Sequence, residues 1–411
     1  MDADDLRRSQ FVPHKNLPFA VERAEGAYLI TPDGRRVLDA AGGAIVANIG
    51  HGRGEVAEVA ARAIEECSYV VPLFATPHRA RLVERLRSNW LPPGLTQCLF
   101  VSGGSESVEA AIRLARHHHV ASGRPERWKV IGTDLSYHGT SLGALAVGGH
   151  ANRRKGYEPL LAAYPKVRAP YCLECFAGRC EKRCRETAAD ALEEVILAEG
   201  PETVAAFICE PVIGSAGGVV VPPANYWPRV REICDQYGVL LIADEVMSGF
   251  GRTGRNFGVD HWDVVPDIMV SGKGLTGGYM PMGAVFARES VVAPIAARGE
   301  DVMFYTYSNF PAACAVADKV LEIMEREDLV ARVATMGDQL SAKLARIREH
   351  PNVASVRGIG LMWGIELVQD RATFTHFPAE KRMVNRVMAA GLERGAFLYP
   401  GGSGVAQDCV M

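Results

Sequence analysis

At 411 residues, 48% of them hydrophobic and 23% charged, the chain is long and apolar enough for two connected globular domains. Its formal net charge of -3 gives no basic excess to draw nucleic acid, and its 42 Gly and 23 Pro are scattered, so no stretch reads as a linker or a disordered tail. Met1 to Gln10 contain no apolar run and no later stretch reaches the length of a membrane span, so the sequence reads as a cytoplasmic protein with no membrane partner. Most of its ten cysteines are then expected to be reduced, buried, small hydrophobes.

In chain order, the alternation through Ala27, Tyr28, Leu29 and Ile30, the turn Pro32-Asp33-Gly34 and the resumption at Val37 and Leu38 predict a hairpin. Helices are expected over Val56 to Glu66 and from Pro77 to Asn89. From Gln97 to Ser271 short apolar strands alternate with amphipathic helices, the pattern of a parallel sheet covered on both faces. Five strands are legible: Gln97 to Val101, Lys129 to Thr133, Val204 to Ile208, Val239 to Ala243, and Ile268 to Ser271. A long helical stretch beyond Pro311 runs through Val316, Val320, Leu321 and Met324, and a hydrophobic helix is expected next, around Val333 to Ile347. Val356 to Leu367 reads as strands of a smaller unit shared with the N-terminal hairpin. The expected division is 1–55 as the N-terminal part of the small domain, 56–310 as the large domain, and 311–411 as the C-terminal small domain.

The polar residues at the end of each strand carry the chemistry, because open α/β sheets bind ligands beyond the carboxyl ends of their strands. Ser102-Gly103-Gly104-Ser105-Glu106 opens a helix with Val108, Ala111, Ile112 and Ala115 on one face, so backbone amides and the Ser105 hydroxyl sit at a helix N-terminus that favours an anion. Taken alone this is an ordinary helix cap. Asp244 and Glu245 end a strand, where a carboxylate can pair with a cationic ring nitrogen. Lys273 comes after another strand, between two glycines, a place where desolvation favours the nucleophilic amine over a solvated charge. Phosphate cup, carboxylate and amine together fit pyridoxal phosphate better than a dinucleotide.

From Glu210-Pro211-Val212, through Asp244-Glu245-Val246-Met247-Ser248-Gly249-Phe250-Gly251-Arg252-Thr253-Gly254, to Ser271-Gly272-Lys273-Gly274, the sequence resembles the class III aminotransferases, the omega-aminotransferase-like members of fold type I. The resemblance implies an α/β large domain with a mostly parallel sheet plus a smaller α+β domain. It implies that Lys273 carries pyridoxal 5'-phosphate as a Schiff base and acts as general base, and that Asp244 pairs with the pyridine nitrogen. Gly104 and Ser105 match the phosphate-binding pair. Tyr137 matches the residue that stacks on the ring, in a motif that His138 and Gly139 complete. Val246 matches the apolar residue on the ring's other face. Glu210 matches a glutamate that in relatives controls a substrate-facing arginine. Thr306 resembles the threonine that reaches the phosphate of a neighbouring subunit, so a homodimer, or a tetramer of such dimers, is implied.

The implied reaction moves an amino group from an amine or omega-amino acid to an oxo-acid, pyruvate or 2-oxoglutarate, by ping-pong kinetics. Racemisation, decarboxylation or phospho-lyase chemistry on the same scaffold is the alternative, and a non-catalytic zinc-binding interaction protein a remote one. Met247 stands where relatives often have glutamine, and Asn309-Phe310-Pro311 replaces the usual Gly-His-Pro. The sequence ends at Met411, where the resemblance implies a further Pro-Pro-Leu-like segment and a final helix of the small domain. The substrate pocket is expected along Ala41 to Ala44 and Tyr69 to Phe74. Cys172, Cys175, Cys180 and Cys184 form C-x2-C-x4-C-x3-C, tighter than most two-knuckle zinc sites and without an evident hydrophobic frame, so the segment is read as a reduced loop and no metal is assigned. His117-His118-His119 are read as a helix end rather than ligands.

Overall fold

The computed structural model describes residues 19–301 and 303–411; the segment Met1 to Gln10 and the start of the first domain segment lie outside them. Strands β1 (Arg23–Glu25), β2 (Tyr28–Ile30) and β3 (Arg36–Asp39) form the expected hairpin, with Leu29 opposite Val37. Helix α1 (Gly54–Glu66) buries Val56 and Ala63, and α2 (Pro77–Arg85) starts at Thr76, whose hydroxyl accepts from the Arg79 amide ahead of a proline in the first turn.

The large sheet contains β4 (Leu95–Val101), β5 (Lys129–Thr133), β6 (Lys166–Val167), β7 (Val204–Cys209), β8 (Leu240–Asp244), β9 (Ile268–Ser271) and β10 (Gly283–Arg288), in the order β4-β10-β9-β8-β7-β5-β6. It is mixed rather than wholly parallel. β10 runs antiparallel to both β4 and β9, so the other six strands share one direction. The five strands legible in the sequence therefore end at the same edge.

Successive strand residues supply opposite faces, as the pleat requires. Ala206, Ile208, Ile242 and Val270 pack under α3 (Gly104–Ala121) with Val108, Ala111 and Ala115. Phe207, Leu241, Ala243 and Met269 pack on the other face, against α4 (Asp190–Glu199) and α5 (Tyr226–Tyr237) through Leu192, Ile196, Trp227 and Val230. Helix α6 (Glu289–Ala296) adds Val291 and Ile295 to the first layer. Helix α7 (Pro311–Arg326) buries Val316, Val320, Leu321 and Met324 in the second, and packs against α1 and α2.

Helix α8 (Leu329–Leu344) departs from the expectation of a hydrophobic helix: within the chain only Gly337 is buried, and its apolar side chains remain half-buried or exposed. Strands β11 (Val353–Ile359) and β12 (Met362–Leu367) pair antiparallel, and after α9 (Met383–Glu393) and β13 (Ala396–Phe397) the sheet is completed by β14 (Pro400–Ser403) and β15 (Ala406–Val410) in the order β11-β12-β15-β14. β13 instead pairs parallel with β3, joining the N-terminal hairpin to the C-terminal segment.

A buried ion pair within this second sheet also ties it to the segment Gly217 to Val219. Arg357 Nη1 lies 2.6 Å from Glu366 Oε2, and its Nε and Nη2 each donate to a carbonyl, Val219 and Gly217, at 2.7 Å. Tyr171 Oη donates to the second Glu366 oxygen at 2.6 Å. The side chains are 5% and 0% exposed, a depth at which only such full pairing makes two charges tolerable.

Candidate active site

The edge where the parallel strands end holds a cavity of about 180 Å3 lined by Gly104, Ser105, Tyr137, His138, Gly139, Glu210, Asp244, Val246, Met247 and Lys273. Every residue expected at the site lines it except Thr306. A larger groove of about 740 Å3 between Ala80 and Thr96 has only exposed charges, Glu84 and Arg87, and no such convergence.

Ser105 lies in the first turn of α3, and its Oγ accepts from the Thr140 amide at 3.2 Å. A Cβ on Gly139, where φ is +136°, would sit 2.5 Å from that Oγ; one on Gly104 would sit 3.0 Å from Val246 Cγ1. These two glycines keep a cradle open at a helix N-terminus. Glu106 lies in the same turn and accepts from the Ser102 amide at 2.8 Å, which closes the strand-to-helix junction.

Asp244 is the last residue of β8 and is 3% exposed. Its Oδ2 lies 2.6 Å from His138 Nδ1 and its Oδ1 accepts from the Val246 amide at 3.0 Å. His138 Nε2 is buried with no hydrogen-bond partner among the described residues. Sequence reasoning placed His138 in the site but missed this contact, since 106 residues separate the two. Glu210 comes directly after β7 and accepts from two backbone amides, Tyr137 and Gly214, each at 2.9 Å. Burial first, and then the Asp244 charge, push its carboxyl up to about 7, although His138 and the two amides favour ionisation.

Lys273 begins a short turn after β9 with φ at +42°, a left-handed backbone that a lysine rarely adopts. Desolvation lowers its pKa, Asp244 and Glu210 oppose that, and Arg252 adds to it. No hydrogen-bond acceptor holds its amine among the described residues, so the amine is held at the cavity by its strained backbone and by charge alone. Glu245, beside Asp244, does not join the cavity. It accepts from Ser248 Oγ at 2.5 Å and from the amides of Gly258 and Val259 at 2.9 and 2.8 Å, bracing the loop behind the site.

Met247 lies where a hydrogen-bonding residue was expected, and packs instead on Val212, Val219 and Met362. A side chain on Gly214 would run into its sulfur. Gly42, Gly43, Ala44 and Ile45 all have positive φ, and Gly42 approaches Arg252. Such a left-handed turn is strained at Ala44 and Ile45 and belongs to the segment from which a substrate pocket was expected. Thr306 is exposed and away from the cavity; the Tyr69 hydroxyl donates to its carbonyl at 3.1 Å.

The cavity fits pyridoxal phosphate. Its glycine cradle at the N-terminus of α3 suits a phosphate, its buried carboxylate a protonated ring nitrogen, and its unpaired amine an aldehyde. The layout of sheet, helices and site defines a fold type I transferase.

Residues 10–407 match the family model Aminotransferase class-III. The aminotransferase YhxA of Bacillus subtilis is 38% identical over 396 residues, covering 96% of this chain and 86% of that protein. Putrescine–pyruvate aminotransferase of Pseudomonas aeruginosa is 36% identical over 361 residues, 87% of this chain and 78% of that protein. The (S)-enantioselective omega-transaminase of Thermomicrobium roseum superposes with a TM-score of 0.93 at 38% identity, covering all of this chain and 94% of that one. The chain belongs to the class III aminotransferases. It is an enzyme that transfers amino groups, in a family whose members depend on pyridoxal phosphate.

Proposed function

We propose that the chain transfers an amino group from a primary amine or omega-amino acid to pyruvate or 2-oxoglutarate, using pyridoxal phosphate held on Lys273. The observation that carries this reading is the convergence of a partly desolvated amine, a buried carboxylate and a glycine cradle on one cavity. When bound, the cofactor supplies an electron sink for the substrate carbon. Gly104 and Ser105 would hold its phosphate at the N-terminus of α3, Tyr137 and Val246 would line the space for its ring, and Asp244, oriented by His138 and the Val246 amide, would keep its nitrogen protonated. The Lys273 amine, freed when the substrate amine takes its place on the cofactor, would move the proton at the substrate carbon, a task for which its lowered pKa suits it. Glu210 orients the Tyr137 backbone through its amide.

The enzyme acts as a homodimer in this reading. Tyr69, Leu73, Phe74, Phe304 and Tyr307 are exposed apolar side chains on two segments that the Tyr69–Thr306 contact joins, and Leu73 is 78% exposed. A second copy covering them would bring Thr306 toward the partner's cofactor and close the substrate pocket. The curated relatives include enzymes whose names give putrescine with pyruvate and diaminobutyrate with 2-oxoglutarate, which supports an amine donor with these acceptors. The deciding experiment incubates the cofactor-loaded enzyme with a panel of amines, diamines and omega-amino acids and each acceptor. Alanine or glutamate formed in step with donor consumed supports transfer; donor converted with no acceptor consumed would assign a lyase or racemase instead.

A further inference from the structure

Between Val167 and Asp190 the chain forms no strand and only the four-residue helix Leu173–Phe176. Structureless loops of this length are uncommon inside a compact domain and usually carry a function. Cys172, Cys175, Cys180 and Cys184 all lie in it, and their four Sγ atoms lie within 4.8 Å of one another. We propose that these four thiolates hold one zinc ion that cross-links this loop where it packs against the C-terminal sheet, a site outside the amino-transfer cavity and independent of the proposed reaction.

The spacing fits. A tetrahedral centre with Zn–S bonds of about 2.3 Å separates its sulfurs by about 3.8 Å, and the Cys180–Cys184 pair is 3.5 Å apart. The sulfurs are part-exposed, which leaves a path for the ion.

The hydrophobic frame that the sequence does not reveal is present. Tyr171 and Phe176 pack with Leu135, Ala169, Ile213, Val220 and Ala406, and the Phe176 ring carries the Arg185 guanidinium at 4.0 Å and that of Arg357 at 4.8 Å. Arg185 donates to the carbonyls of Pro170 and Val221, and Arg179 to those of Arg371 and Ala372 while covering the Phe374 ring at 3.8 Å. The Arg185 guanidinium, over the Phe176 ring beside the cluster, would offset part of the negative charge of a zinc tetrathiolate. Binding releases four protons and changes no oxidation state.

The test uses the full chain, expressed with zinc in the medium and purified without chelator. Elemental analysis is expected to find about one zinc per chain, and X-ray absorption a shell of sulfur alone at about 2.3 Å. Replacement by Co2+ should give the intense thiolate-to-cobalt charge-transfer bands of a tetrahedral sulfur site. C172S/C175S should lose the metal while C67S, outside the cluster, keeps it. If the double variant fails to fold, the wild-type stoichiometry and cobalt spectrum still decide. Wild-type protein without stoichiometric metal, a shell containing oxygen, or the four cysteines recovered as two disulfides would each overturn the proposal.

Discussion

Replacing Asp244 by Asn isolates the charge on which the proposed chemistry rests. Asparagine has nearly the same volume, and its carbonyl still accepts from the Val246 amide that now donates at 3.0 Å. Its NH2 would face His138 Nδ1, which can accept if the imidazole carries its proton on Nε2, a nitrogen that is buried without a partner among the described residues. The fold should therefore survive, with a melting temperature within a few degrees of wild type. What disappears is the attraction between a buried carboxylate and a cationic ring nitrogen. At a separation of ~4 Å and an effective dielectric of ~20 that attraction amounts to about 4 kcal/mol. Lost from the transition state, it lowers kcat about a thousandfold. Steady-state amino transfer to the preferred acceptor, measured on protein with full cofactor occupancy, gives the value. A folded, loaded D244N enzyme within about threefold of wild type would refute the role given to this carboxylate.

Gly139→Ala puts a methyl 2.5 Å from Ser105 Oγ at a φ of +136°, so cofactor affinity should fall by about tenfold or more in a fluorescence titration; unchanged affinity would remove Ser105 from the phosphate site. Glu366→Ala leaves the Arg357 guanidinium buried without its carboxylate and should cost about 3–5 kcal/mol, whereas R357M/E366M should recover only part of it, since it strands the Tyr171 hydroxyl and the Val219 and Gly217 carbonyls. Denaturant melts of the two variants compare them, and equal stability of E366A and wild type would contradict the buried-pair description.

The Glu210 carboxyl titrates near 7 in the folded chain and near 4.5 when unfolded, so the folded state holds its proton more tightly. Its contribution to stability is therefore fully present below about pH 4.5 and is lost as pH rises to about 7. In the cofactor-free protein, Glu210→Gln should flatten the fall of melting temperature across that window, and a slope equal to that of wild type would count against a buried, late-titrating Glu210. Phe304→Glu, on the exposed apolar segment, should yield monomers by light scattering and weaken cofactor retention, since Thr306 would lose its partner; a stable, fully active dimer would place the interface elsewhere.

The site was legible because its parts adjoin strands that announce themselves. Val204 to Ile208 and Ile268 to Val270 are short, wholly apolar runs, buried on both faces in the structure, and the residues just beyond such runs in an α/β sheet face a ligand. β10 was not legible, since Gly283–Arg288 comes after a glycine-rich turn and a residue pattern carries no strand direction. The His138–Asp244 pair and the double amide clasp on Glu210 are contacts between distant segments, set by sheet order. The frame around the four cysteines was hidden for the same reason: Phe176, Arg357 and Ala406 meet only when the C-terminal sheet docks. Thr306 points to a limit of another kind, because its expected ligand belongs to a second copy of the chain.

The role given to Lys273 as carrier of the cofactor is open to direct chemical test. Reducing the loaded enzyme with borohydride fixes the cofactor to whichever amine holds it, and peptide mass spectrometry locates it. A pyridoxyl group is expected on the peptide containing Lys273 and on no other, with no fixed label in Lys273→Ala; label on a different lysine, or equal labelling of the variant, would contradict it.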